Sequence, residues 1–253
     1  MASRLMLNEL TREEARAVAP ETLVVFPIGA TEQHGPHLPV GTDFFAVDHI
    51  ARAAATEAAA RIPVVVAPTL PFGSSAHHLP FGGTMSIATE TYYRVVSDLV
   101  ESLITGGFRR IFLLNGHGGN HELAELVARD VALSHPAHVA AGSYWRIAWD
   151  ALIAADAHTQ GRLAGHAGFF ETSLSLVVKP DLVRQPLPHR EGATGSDPRD
   201  SARPYRGEHH GSWQSMDGFT DSPDRATAER GRAFLQAIVR AVADALTEFY
   251  RSS

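Results

Sequence analysis

The 253-residue chain contains no cysteine. That absence removes disulfides, thiolate nucleophiles and thiolate metal ligands together, so any metal must be held by His, Asp and Glu. Basic residues are in the minority: 22 Lys and Arg against 28 Asp and Glu leave a formal net charge of -6. No stretch gathers them into the basic face that a nucleic acid partner requires. Long apolar runs are missing as well. The longest mainly apolar stretches, Leu23 to Gly29 and Ile62 to Leu70, fall far short of the roughly 20 residues that cross a bilayer. Acidic residues arrive too early near the start for the apolar centre of a signal peptide, so no membrane partner and a cytoplasmic location are expected. Internal repeats and low-complexity tracts are also lacking.

What is present is a 44% hydrophobic chain of a length that can bury one substantial core, and a single domain over residues 1–253 is expected. Leu23 to Ile28, Ile62 to Ala67, Arg110 to Leu114 and Ala137 to Ser143 are short aliphatic runs of the kind buried on both faces of a sheet. Between them Phe44 to Arg61, Thr89 to Thr105 and Glu122 to Ser134 carry apolar residues at helical spacing. This β-α-β-α alternation predicts an α/β fold, a mainly parallel sheet between helical layers. A last helix is predicted with Ser222 as N-cap, Pro223 at its first position and an apolar stripe of Phe234, Ile238, Val242, Leu246 and Phe249. The stretch from Arg184 to Asp221, with Pro186, Pro188, Pro198 and Pro204, is loop-rich and reads as a lid or an inter-subunit arm.

Fourteen histidines stand out against this composition, and position decides whether they mean chemistry. Candidate motifs follow directly on predicted strands, where open α/β sheets bind their ligands. After the first strand, residues 29–43 include Glu32, His34, His37 and Asp43. Glu32 and His34, two apart, project to one side of an extended segment. Asp43, just before a helix, could cap its first turn or bridge two cations; His37 sits in a Pro-bounded turn and is the weaker ligand. The third strand runs into Asn115-Gly116-His117-Gly118-Gly119-Asn120, where His117 is the best ligand; the loop lacks the ending of a P-loop, which ranks phosphate binding low. His121 and Glu122 read as solvent-facing or dipole-matching residues of a first helical turn. Farther on, His166 could carry protons near neutral pH. Glu171 is either an exposed helix acid or, in its apolar run Phe169 to Val178, a buried carboxylate that needs a cationic partner. Ser74, Ser75 and His78, after the second strand, read as a substrate-side loop or as ordinary turn structure.

These motifs together, Gly29 to Pro39, Asp43, Asn115 to Asn120 and His166 with Phe170 to Ser173, resemble the creatininase family of amidohydrolases over roughly residues 23–183. The resemblance implies a three-layer α/β/α subunit and commonly a homohexamer. It also implies two divalent ions per subunit, zinc first, with manganese or iron(II) as alternatives. It makes Glu32, His34, Asp43 and His117 metal ligands, with Asp43 bridging. Glu171 becomes a ligand or the group positioning the activated water, and His166 the proton shuttle. Trp145 matches an aromatic that lines the creatinine pocket; with it, Ser74, Ser75 and His78 of the substrate-side loop and Gly118 are expected to bind the substrate. Creatininases resemble Asn-Gly-His-Tyr-Glu-Asn after the third strand; here Gly118 and Gly119 replace the Tyr and a metal-associated Glu. A second pocket tryptophan gives way to Arg162 or its neighbours.

The expected activity is therefore hydrolysis of a non-peptide or cyclic amide carbon–nitrogen bond in a small molecule. Formamide cleavage in cofactor biosynthesis and peptide trimming in cofactor maturation are the alternatives within the family. Paired metals also serve phosphatases, but the phosphate-clamping Arg or Lys is absent from the two main motifs, leaving only Arg162. A non-catalytic metal-binding assembly protein is the reading from another class.

Overall fold

The computed structural model describes residues 5–190 and 210–253. Four parallel strands, β1 (Leu23–Ile28), β2 (Val64–Val66), β3 (Arg110–Asn115) and β4 (His138–Ser143), form one sheet in the order β2-β1-β3-β4. The helices are α1 (Arg12–Val18), α2 (Thr42–Ala58), α3 (Thr89–Thr105), α4 (His121–Ser134), the short α5 (Tyr144–Ile147) and α6 (Trp149–Ala154), α7 (Phe169–Val178), α8 (Ser212–Ser215) and α9 (Ala228–Ser252). Pro198 and Pro204 of the loop-rich stretch lie outside the described residues.

Alternation along the central strands explains the layers. Leu23, Val25, Phe112 and Leu114 point into one core with α2, α7 and α9. Val24, Phe26, Ile28, Ile111 and Leu113 point into another with α3 and α4. A strand buried on both faces cannot afford polar residues on either, which is why the runs are continuously aliphatic. The helices supply matching stripes: Tyr92, Val96, Val100 and Ile104 on α3, and Phe234, Ile238, Val242 and Leu246 on α9.

Register then places the chemistry. Ile28 pairs with Asn115, and Asn115 with Ser143, so β1, β3 and β4 end side by side and their following loops open into one crevice.

Two expectations need correction. The long C-terminal helix does not begin at Ser222 and Pro223: Pro223–Arg225 is a separate 3-10 turn, and Ser222 Oγ is engaged with the Arg190 backbone on both sides. The helix starts at Ala228, where Thr227 Oγ1 accepts the N–H of Arg230. His121 occupies the first turn of α4 but is buried, not solvent-facing. Because β4 ends beside β3, Ser143 Oγ lies 2.8 Å from His121 Nδ1.

Candidate active site

The β1 loop delivers Glu32 and His34, and α2 begins immediately after it, so Asp43 falls in the first turn of α2 rather than at its cap. A carboxylate there meets the positive end of the helix dipole. All three side chains are buried. His34 Nδ1 lies 3.1 Å from the Glu32 carbonyl, which can only accept, so Nδ1 carries the hydrogen and Nε2 faces Asp43 Oδ1 at 3.1 Å. The second carboxylate oxygen, Oδ2, lies 3.0 Å from His117 Nδ1, delivered by the β3 loop. His117 Nδ1 is also 3.2 Å from Glu32 Oε1.

Outer contacts hold these rings in place. His117 Nε2 meets the Ser74 carbonyl at 3.1 Å and Ser75 Oγ at 3.2 Å. Asn120 ties the loops together, accepting from Ser74 N and donating to the Gly29 carbonyl. Asn115 donates to the His117 carbonyl and to Ser143 Oγ. Ser74 and Ser75, expected beside a substrate, are thus engaged in supporting His117.

A second half comes from later in the chain. Glu171, on the first turn of α7, lies 3.7 Å from His34 Nε2 and accepts the Ala167 N–H at 2.6 Å. His166 stacks between His34 and His78, with centroids 4.3 and 4.2 Å away. Its Nε2 lies 2.9 Å from the Gln33 carbonyl, so that nitrogen carries the hydrogen. Nδ1 is left with its lone pair toward Glu32, 3.7 Å from Oε1. Gln33 is a buried hub that the sequence did not single out. Its two amide hydrogens go to the Gly218 carbonyl and His78 Nδ1, at 2.8 and 2.9 Å.

His166 sits in a tightly wound segment: Ala164, Gly165 and Ala167 all adopt left-handed backbone, which alanine adopts only under constraint. The constraint comes from Asp221. Its carboxylate accepts the N–H groups of Phe169 at 2.6 Å and Arg162 at 3.3 Å and the Thr220 hydroxyl at 2.9 Å. A Cβ at Gly168 would fall 2.2 Å from that carboxylate, so only glycine lets the two meet. Burial pushes the Asp221 carboxyl up, against these donors and the Arg162 charge. The arginine considered for a phosphate thus lies near enough to Asp221 for its charge to act on that carboxyl. Neither Asp221 nor its glycine cage could be picked out before the 160s and the 220s were seen side by side.

Charge follows geometry. Burial opposes protonation of His34, yet Asp43, then Glu171 and Glu32, raise it to about 10. His117 is likewise raised by Glu32 and Asp43 against burial. Burial would raise the Asp43 carboxyl, but His34 and His117 hold it well below the usual range. Burial lifts Glu171 to about 8. His166 goes the other way: burial, then His34 and His78, keep its imidazole neutral.

His37 is buried and bonded to Thr172 Oγ1 at 2.9 Å, which settles it as a packing residue. Trp145 is half-buried and packs edge-on to Tyr144. Trp213, from the loop-rich stretch, is the indole whose ring lies against His77, His78 and His166, with centroids 5.5, 4.7 and 5.3 Å away. Gly118 opens a 3-10 turn beside His117.

These features define an α/β protein that gathers nitrogen and oxygen donors at the carboxyl ends of a parallel sheet. Residues 8–246 match the creatininase family model, described as creatinine amidohydrolase, and the chain belongs to that family; it is accordingly a hydrolase of the carbon–nitrogen amide class. It is 30% identical to creatinine amidohydrolase of Pseudomonas putida, over 98% of each chain. It is 31% identical to the mycofactocin precursor peptide peptidase of Mycobacterium ulcerans, over 85% of this chain and 81% of that one. Among solved structures, a creatininase variant of zinc–zinc type superposes with a TM-score of 0.77 at 28% identity over 98% of both chains, and a manganese creatininase with 0.76 at 27% over 97% and 98%. Among the described residues no helix is long and apolar enough to cross a membrane.

Proposed function

We propose that this chain hydrolyses an amide carbon–nitrogen bond of a small molecule using two divalent ions, with Asp43 between them. The observation that carries this reading is that the two Asp43 oxygens face different imidazoles, His34 at 3.1 Å and His117 at 3.0 Å. One ion would be held by Asp43, His34 and Glu171, whose donor atoms lie within 4.8 Å of one another, and the other by Asp43, Glu32 and His117. The residues fit such ions. Glu32 Oε2 is buried without a hydrogen-bond partner, and no thiolate competes with the mixed donor set, which suits zinc, manganese or iron(II). The raised His34 and His117 hold positive charge where divalent cations would satisfy the same carboxylates.

Bound there, the ions supply a water of lowered pKa and a Lewis acid for the substrate carbonyl. His166, kept neutral by burial, presents the Nδ1 lone pair to this space and serves as general base, then returns the proton to the departing nitrogen. Its Nε2–H on the Gln33 carbonyl fixes that orientation. Glu171 completes the donor group on the His34 side of Asp43. Trp213, packed on His77, His78 and His166, is the aromatic placed to contact a substrate beside these imidazoles.

Gly118 and Gly119 replace the creatininase Tyr and Glu, so the substrate is an amide other than creatinine; the peptidase relatives make a short peptide the second class to assay. Exposed Leu79, Met85 and Val40 near the His77–His78 turn support assembly into a homo-oligomer, hexameric as the resemblance implies, which analytical ultracentrifugation tests. The function is tested by elemental analysis of the purified protein with a release assay over cyclic amides, formamides and short peptides. About two ions per chain and chelator-sensitive cleavage of one class are expected. A chain that takes up no metal on reconstitution overturns the reading.

A further inference from the structure

The creatininase motif places a carboxylate two residues after the His of the third-strand loop, and this chain has Gly119 there. The space is not open. A Cβ built on Gly119 would lie 2.2 Å from the Ser74 carbonyl oxygen, 2.5 Å from His117 Nε2 and 3.2 Å from His77 Cε1. Distances below 3 Å to backbone cannot be relieved by a side-chain rotation, so a side chain at 119 and the present course of residues 74–77 exclude each other. The Ser74 carbonyl cannot simply withdraw, because it accepts from His117 Nε2.

The Ser74 carbonyl and the His117 ring fill that space, and a second imidazole stands just beyond them. His77 lies on the 3-10 turn Ala76–Phe81 and stacks nearly parallel on His117, centroids 5.9 Å apart at 4°. Donor atoms of Glu32, His77 and His117 all lie within 4.8 Å of one another. Trp213 and His78 pack on the two neighbouring sides, at 5.5 and 4.2 Å, and confine the ring there.

We propose that His77 is a metal ligand in this protein, joining Glu32, His117 and Asp43 at one of the two ions. The inference rests on the two-ion reading above. It carries a chemical consequence. Two imidazoles beside two carboxylates make this donor set richer in nitrogen than that of the other ion, which favours zinc, cobalt or iron(II) over manganese. The ion shared with His34 and Glu171 keeps its oxygen-rich set, so the two positions differ in metal preference.

The test uses the full chain, stripped with chelator and reloaded with zinc, cobalt or manganese, with metal counted by mass spectrometry and cobalt followed by visible absorption. His77→Ala is expected to bind one zinc fewer per chain than the wild type, or to bind it weaker by more than the 10–100-fold that loss of an outer partner causes. The cobalt spectrum of that position should change while the other is untouched. His77→Glu should recover the ion with its preference moved toward manganese. Circular dichroism checks the fold, and His77→Gln decides if the alanine variant is unfolded. A wild type that binds no metal overturns the two-ion reading and this inference together. A wild type with two ions, alongside His77→Ala with two of unchanged affinity and cobalt spectrum, overturns only the role of His77.

Discussion

The site is built in two halves by different means. Glu32, His34, Asp43 and His117 stand on loops that leave adjacent ends of a buried parallel sheet, and their neighbours Asn115 and Asn120 bond across those loops. His166 and Glu171 stand on a segment with no strand beneath it. There, left-handed alanines are held by Asp221, which lies 52 residues beyond the Phe169 it bonds. The first half inherits its precision from hydrogen-bonded register. The second depends on a single buried carboxylate and on glycines small enough to reach it. Metal binding should therefore tolerate changes at His166 and its turn, Glu171 apart, that catalysis does not.

The largest expected effect is at Asp43, where the halves meet. Asp43→Ala should lose both ions and all amide cleavage, whereas an ion retained with its normal affinity would refute bridging. His166→Ala should lower turnover by about 10²–10⁴-fold, the usual size of a general acid–base contribution, while metal content stays at the wild-type level. Equal loss of both would merge the two halves into one.

Asp221→Ala leaves the Phe169 N–H and the Thr220 hydroxyl without their shared acceptor in a buried place. It should cost about 1.5–3 kcal/mol in urea unfolding, as hydrogen bonds to a charged group do, and should lower kcat with metal content retained. Unchanged kcat in the folded variant would reduce Asp221 to a purely structural residue.

A pH measurement sharpens the comparison further. Burial, then His34, holds His37 down from 6.5 to about 4. A group lowered in the folded state contributes stability present above its unfolded value and lost as pH falls, here between about 6.5 and 4. His37→Gln, which can still bond Thr172, should flatten that acid slope without altering metal content. A slope identical to the wild type's would assign it elsewhere. The smallest effect is at Thr227→Ala, about 1 kcal/mol for losing the cap of α9, with no change in activity.

Much of this was legible beforehand, and the parts that were share a reason. Leu23 to Ile28 and Arg110 to Leu114 read as two-faced strands because aliphatic continuity is a local property. The helix over Thr89 to Thr105 was bounded correctly because its stripe ends at Gly106 and Gly107. Glu32, His34, Asp43 and His117 were recognisable because the loops that carry them are short and contiguous. By contrast, Thr227 rather than Ser222 caps α9 because Ser222 is claimed by Arg190, a contact no local pattern shows. His121 was misplaced because its exposure depends on where β4 ends.

The sequence alone determined the strands, the two donor-rich loops and, through the missing cysteines, the nitrogen and oxygen character of the site. Hydrophobic continuity and short-range spacing are written within a few residues of where they act. Only the tertiary structure decided that Trp213 rather than Trp145 lies against the imidazoles, that Asp221 holds the His166 turn, and that His77 comes within reach of Glu32 and His117. Each of those depends on two segments far apart in the chain meeting within a few ångströms, and side-chain contact of that kind has no period or motif to announce it.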